Sequence, residues 1–370
     1  MTWSPEFADA AAPDVDSRAL QDAVEYAKIH DTPSEQLPYD FSSLGIDTEE
    51  EHATLIGPMP DRRGGPSGVV LKDGHVLAEW GDTTRVEHAF SISKSFLSIV
   101  GGVAYDRGHI ADVTDPVREY IDGGGFDSPH NSEITWEQLF QQTSEWEGTL
   151  FGKPDVIDRY RPVGTADLDG EKGTPRELRE PGTYWEYNDV RVNQLALSLL
   201  RLWKKPLYKV LQHEVMNPIG ASSTWEWHGY YNSDVEIDGQ RMKSVSGGGH
   251  WGGGVWMNTR DLARVGQLML NGGSWGEKQI LSPEWIDMAT TPCSLQPTYG
   301  YLWWLNEDRA LWPSAPESSF AAIGSGSNVV WVDPEHDLVV VSRWLKKAEQ
   351  EGSRRPNMDE LFQRVISAVQ

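Results

Sequence analysis

The sequence predicts an α+β fold: an antiparallel β-sheet flanked by helices and split by a large, mainly helical insertion. Three observations carry this. Strand-like runs occur near the start (SGVVLKDG into HVLAEWG) and return near the end (YGYLWWLN, NVVWVDP, DLVVVSRWL). Between them, residues 109–240 hold helical segments separated by Gly/Pro/Asp loops, with few convincing strands. Some strands are joined by short turns, which favours an antiparallel sheet with helices on its faces. The expected division is an N-terminal helix and extended segment over 1–65, a sheet region over 66–108 and 241–370, and a helical region over 109–240.

In chain order, residues 16–30 (DSRALQDAVEYAKIH) have helical periodicity behind an Asp/Ser start, and a Pro- and acid-rich stretch follows over roughly 31–65. The first strand pair turns at Asp73-Gly74. Residues 91–107 (SISKSFLSIVGGVAYDR) are apolar on nearly every face, as in a helix buried between layers, with Gly108 as its stop. The helical region reads as PVREYI, TWEQLFQQ, DVRVNQLALSLLRLWK and LYKVLQHEVMNPIG. Beyond it, 259–270 is helical, Ser282 caps a short helix, and a terminal helix covers 357–369.

At 370 residues, 38% hydrophobic and 24% charged, the chain reads as soluble and globular, long enough for a substantial core. No window approaches the 18 apolar residues of a membrane helix. The start, MTWSPEFADAAAPDVD, has neither a basic n-region nor an apolar h-region, so no secretory signal is expected. The single cysteine, Cys293, excludes an intrachain disulfide and argues against a zinc-thiolate cage. These features place the protein in the cytoplasm. A net charge of −24 argues against nucleic acid and anionic membrane surfaces as partners. The spread of carboxylates fits salt adaptation and equally an ordinary acidic enzyme. Nothing in the sequence sets the oligomeric state.

Ser91-Ile92-Ser93-Lys94 is the only Ser-x-x-Lys in the chain. This spacing at a helix start puts both side chains on one face. The helix N-terminus offers backbone N–H groups to a developing oxyanion. A lysine held in so apolar a helix loses solvation of its charged form, which suits it to act as a base. Alone the tetrapeptide is weak, since a helix cap with a solvent-facing lysine would look the same; the apolar helix argues otherwise. A second segment, Pro181-Gly182-Thr183-Tyr184-Trp185-Glu186-Tyr187-Asn188-Asp189, puts Tyr187 just before a helix. A third, Ala321-Ala322-Ile323-Gly324-Ser325-Gly326-Ser327-Asn328, leads into VVWVDP with small residues that let a backbone approach a ligand closely.

In this order the three segments resemble the serine β-lactamase/DD-peptidase superfamily, and within it the class C β-lactamase-like esterases and amidases, the 6-aminohexanoate-dimer hydrolases among them. LFQQTSEWEG and GGGVWMNTRDLARVGQLMLNGG are similar to further stretches of that family, and the likeness spans roughly 66–345. It implies a β-lactamase/transpeptidase-like fold and a serine hydrolase that cleaves an ester or amide of a small molecule through an acyl-enzyme on Ser91. Lys94 and Tyr187 would share the proton transfers, and the backbone N–H groups of Ser91 and Ser325 would form the oxyanion hole beside Gly324 and Gly326. The resemblance implies no cofactor.

Two departures narrow it. Asp189 stands where the family's tyrosine motif has an amide, and a carboxylate there is expected to disfavour anionic substrates. The third segment lacks the Lys-Thr-Gly that helps hold a β-lactam carboxylate, which turns the expectation from antibiotics toward another ester or amide. A β-lactamase or D-amino-acid peptidase of the same fold is one alternative, and a non-catalytic ligand-binding homologue another.

Trp146, Trp185, Trp251 and Trp256 are expected as pocket walls and His250 as pocket lining, with no acid partner visible for it. Gly272-Gly273-Ser274-Trp275-Gly276 matches a nucleophile elbow, but a helix precedes it where a strand is required. No histidine cluster has metal-ligand spacing, and no metal is expected.

Overall fold

The computed structural model describes residues 14–32, 54–60, 62–163, 170–346 and 356–370. In chain order the elements are α1 (Ser17–Ile29), β1 (Ser67–Lys72), β2 (His75–Trp80), β3 (Glu87–His88), α2 (Ile92–Asp106), α3 (Trp136–Gln141), β4 (Thr149–Leu150), β5 (Lys153–Pro154), α4 (Asp189–Trp203) and α5 (Leu207–Leu211). They continue as β6 (Glu226–Ile237), β7 (Gln240–Val245), β8 (Gly254–Met257), α6 (Thr259–Leu270), β9 (Ser274–Trp275), β10 (Lys278–Gln279) and α7 (Pro283–Ala289). The last are β11 (Trp304–Leu305), β12 (Phe320–Gly324), β13 (Asn328–Asp333), β14 (Leu338–Arg343) and α8 (Pro356–Val369).

The main sheet has six strands in the order β11-β12-β13-β14-β1-β2, antiparallel throughout. Its central strands, NVVWVD, LVVVSR and SGVVLK, are buried almost end to end because helices cover both faces. Trp331 stacks on Phe362 of α8 at 4.3 Å on one face. On the other, α6 packs against β13, β14 and β1. Gly266 of α6 comes so near that a Cβ there would lie 2.6 Å from Val339. The Asp73-Gly74 turn has φ of 49° and 75°, the left-handed pair that a two-residue hairpin requires. Asp16 caps α1, as its sequence suggests, and its backbone N–H bonds to Ala368, tying the two ends of the chain together.

The insertion differs from expectation at both ends. A 12-residue strand, β6, occupies its end and pairs with both β7 and β8. Its burial does not alternate, and its register slips between Gly229 and Asp234, which hides the period-two signal. The β6–β7 hairpin turns at Asp238-Gly239. PVREYI forms only a 3-10 turn over Val117–Glu119 behind Pro116, and YGYLWWLN keeps only two residues in a strand. Most of the stretch expected as an extended excursion over 31–65 lies outside the described residues. Among the described residues, no helix is long and apolar enough to cross a membrane.

Candidate active site

Ser91 opens α2, and its hydroxyl makes no capping bond to its own helix. It instead donates to the Gly248 carbonyl at 3.4 Å and accepts from Lys94 Nζ at 3.0 Å. The preceding residue, Phe90, has φ of 51°, a left-handed conformation uncommon for a bulky side chain and costing about 1–3 kcal/mol. Its ring is held between His88 and Trp344, so packing fixes the turn that presents Ser91. Lys94 lies one helical turn on and is 1% exposed. The structure thus buries this lysine completely and gives it a carboxylate: Asp189 Oδ1 is 2.6 Å from Nζ.

Asp189 is the first residue of α4, capped by Asn188, whose side chain accepts from the N–H groups of Val190 and Arg191. It is 1% exposed, and its carboxylate faces Lys94 and Arg161 (3.2 Å) rather than open solvent. Burial pushes its pKa up, but Lys94 and then Arg161 outweigh that and hold it below the ordinary carboxylate range. Tyr187, just before the cap, stacks on Trp304 at 5.8 Å and meets Trp185 and Tyr299 edge-on or tilted. Its ring centre is 4.5 Å from Lys94 Nζ and 5.3 Å from the Arg161 guanidinium.

Gln142, after α3, fixes this loop. Its side-chain oxygen accepts from Asn188 N–H at 2.9 Å, its amide donates to Tyr299 Oη at 2.8 Å, and its carbonyl accepts from Glu186 N–H at 3.0 Å. Beneath lies a buried network of three carboxylates and three arginines. Glu145 pairs with Arg176 (2.6 Å) and Arg191 (2.7 Å), Glu186 with the same two arginines (3.1 Å each), and Asp155 with Arg159 (2.8 Å) and Arg191 (3.4 Å). Equal numbers of each sign let these charges be buried together. The network joins four stretches of the insertion that run on either side of Tyr187.

The third motif reaches the same place. Gly324 ends β12, and a Cβ on it would lie 2.3 Å from the Ala89 carbonyl oxygen, two residues before Ser91. Ser325–Ser327 form a half-buried 3-10 turn in which Gly326 has φ of 75° and Asn328 Nδ2 donates to the Ser325 carbonyl. Gly248 closes the other side: a Cβ there would be 2.5 Å from Asp189 Oδ2 and 2.8 Å from Lys94 Nζ.

His250 does have acid partners. Its Nδ1 is 3.4 Å from Asp158 Oδ2 and 3.7 Å from Asp189 Oδ2, while its ring stacks on Trp251 at 3.8 Å. Burial lowers its pKa, against the pull of Asp158. Of the four tryptophans, Trp185 and Trp251 touch this cluster. Trp146 donates to the Gly125 carbonyl, and Trp256 packs between His88 and His228 on the smaller sheet.

Sequence reasoning missed Asp158, Arg161 and Gly248. Asp158 Oδ2 accepts from Asp189 N–H at 2.9 Å and is 3.4 Å from Arg161 Nη1. Only Gly248 left a visible signal, in the run Gly247-Gly248-Gly249. Asp158, Asp189 and His250 bring possible metal-ligand atoms within 4.8 Å of one another. Lys94 and Arg161 already stand 2.6–3.4 Å from the same carboxylate oxygens, so a dication there would meet two fixed positive charges.

The Beta-lactamase family model matches residues 53–359. The 6-aminohexanoate-dimer hydrolase of Paenarthrobacter ureafaciens is 26% identical over 310 residues, covering 75% of this chain and 72% of that one. Two crystal structures share the fold. A penicillin-binding protein homologue from Caulobacter crescentus superposes with a TM-score of 0.60 at 13% identity, covering 97% of this chain and 99% of that one. A family VIII carboxylesterase gives 0.59 at 17% identity, with coverage of 82% and 92%. With a family match over most of its length and a fold to agree, the chain belongs to the Beta-lactamase family and is a serine hydrolase of that family.

Proposed function

We propose that Ser91 is the acyl-accepting nucleophile and that the enzyme hydrolyses an ester or amide of a small molecule. The observation that carries this is the buried Lys94 side-chain nitrogen 3.0 Å from Ser91 Oγ at a helix N-terminus. Ser91 Oγ bonds to the substrate carbonyl carbon as its proton passes to the Lys94–Tyr187 pair. The carbonyl π electrons move onto oxygen, which accepts hydrogen bonds from the N–H groups of Ser91 and Ser325. The same pair returns the proton to the leaving alcohol or amine, and water then releases the acyl group from Ser91.

Asp189 serves in this scheme as the group that positions Lys94, since its carboxylate is taken up by cations of the protein itself. Trp185, Trp251 and His250 are the residues of the expected pocket that reach the cluster. The relatives include, by name, a 6-aminohexanoate-dimer hydrolase and a carboxylesterase, which supports hydrolysis of a small-molecule acyl bond. The third segment has Gly324-Ser325-Gly326 in place of Lys-Thr-Gly, and the missing lysine disfavours an anionic β-lactam. The cytoplasm remains our reading of the location, supported by a lone, buried Cys293. Comparing nitrocefin with p-nitrophenyl esters tests the substrate class: ester turnover at least tenfold above nitrocefin is expected, and the reverse ranking would make this a β-lactamase.

A further inference from the structure

The motif that ends β12 lacks a lysine, yet the ring of Tyr187 lies beside two cations that share one Asp189 oxygen. Lys94 approaches its ring at 4.5 Å from α2, and Arg161 approaches at 5.3 Å from the segment that follows the 3-10 turn Asp155–Asp158. Arg161 is not free to swing away. Its Nη1 is 3.2 Å from Asp189 Oδ1 and 3.4 Å from Asp158 Oδ2, and both carboxylates are buried. Asp158 is anchored in turn by the Asp189 N–H and faces His250.

We propose that Arg161 is a positioning residue that supplies, from the helical insertion, the second cation beside Tyr187 that the β12 motif does not provide. The proposal rests on Ser91 being the nucleophile and deepens that assignment. To take the Ser91 proton the Lys94–Tyr187 pair must hold one proton fewer than its fully protonated form. Where that deficit sits on Tyr187 as a phenolate, the charge of Arg161 adds to that of Lys94 in stabilising it until the Ser91 proton neutralises it. Arg161 neither gains nor loses a proton; it favours the anionic form of its neighbour through space. Among the described residues, the other polar or charged groups facing Tyr187 include Asp189 on α4, whose charge opposes this effect, and the phenol of Tyr299, which Gln142 holds by a hydrogen bond. Two carboxylates beside Arg161 are what let an arginine stay charged there: burial disfavours the cation, and Asp189 and Asp158 more than offset it.

The test is the pH dependence of kcat/KM on a p-nitrophenyl ester for the full chain and three variants. Arg161→Gln removes the charge but can still hydrogen-bond both carboxylates. Arg161→Met combined with Asp158→Asn removes one buried cation with one buried anion, so the charge balance of the core is kept. Arg161→Lys restores a cation. The ascending limb is expected to move about 1–2 pH units higher in both charge-removing proteins, following the usual effect of a lost neighbouring charge. The loss at neutral pH should be about 10- to 100-fold and fall on kcat rather than KM, and Arg161→Lys should return the limb toward its original position. A limb that stays in place in whichever charge-removing protein folds would overturn the role of Arg161. Mass spectrometry of the wild-type acyl-enzyme separates the two levels: an adduct on Ser91 with an unmoved limb defeats only this inference, whereas no adduct defeats the assignment beneath it.

Discussion

Replacing Gly248 with alanine would put a methyl group where Lys94 and Asp189 meet. The new Cβ would lie 2.5 Å from Asp189 Oδ2 and 2.8 Å from Lys94 Nζ, against ordinary contact from 3.4 Å upward. The pair must therefore retreat by about 0.6–0.9 Å, and the lysine, as the flexible end, will give first. Its 3.0 Å bond to Ser91 would open to about 3.6 Å, beyond hydrogen-bond range. A displacement of about 1 Å in a catalytic group costs on the order of 100-fold, so kcat/KM should fall by that factor. The overpacking penalty is about 1–3 kcal/mol, which a urea titration reads separately. Gly247→Ala is the control: its Cβ would strike Leu97 and Val192 in the core, so it should lose stability with far less effect on turnover per folded molecule. The assay is steady-state ester hydrolysis normalised to folded protein. Wild-type kcat/KM in Gly248→Ala would show that the Lys94–Ser91 contact does not matter to catalysis.

Three other outcomes follow from the buried charges. Asp189→Asn should lower kcat on neutral and charged esters alike, by about 10- to 1,000-fold, because it disturbs Lys94; a changed substrate preference with kcat intact would mean that Asp189 faces substrate after all. Glu145→Gln should destabilise the fold by about 3–5 kcal/mol in urea titrations, since it removes one of the two carboxylates that Arg176 and Arg191 share and leaves the buried network with an excess positive charge. Burial pushes Glu145 up, but Arg176 and Arg191 hold it at about 2, so its contribution to stability is complete above about pH 4.5 and disappears toward pH 2. His88 behaves in the other sense: burial lowers its pKa to about 3, so the unfolded chain binds a proton that the native state refuses. Stability should therefore fall as pH drops from 6.5 toward 3, and a His88→Gln variant should lose that part of the acid sensitivity.

How much of this was legible in the sequence depended on distance along the chain. Ser91 and Lys94 sit three residues apart on one helix, so their meeting is a property of local geometry and was readable at once. The Asn188 cap before α4 and the Asp73-Gly74 turn are equally local. Gly324 was visible as part of a small-residue run, but not that it ends a strand pressed against Ala89. The strand β6 was missed because its burial is irregular and its register slips. Asp158 and Arg161 left no trace, since their partners Asp189 and His250 are tens of residues away and the segment around them reads as an ordinary charged loop. Asp189 was visible as a departure from a motif, but its burial against Lys94 was not. The expected tryptophan walls divided for the same reason: Trp185 is a near neighbour of Tyr187 in sequence, whereas Trp146 and Trp256 are placed by contacts that no local pattern reveals.

The central claim is that Ser91 is acylated. Incubating the protein with a fluorophosphonate, and separately with a slow-turnover ester, and mapping the mass increment by peptide mass spectrometry tests it directly. The account predicts a single adduct on the peptide carrying Ser91-Ile92-Ser93-Lys94, lost in Ser91→Ala and strongly slowed in Lys94→Met. An adduct on another residue, or ester turnover that persists undiminished in Ser91→Ala, would contradict it.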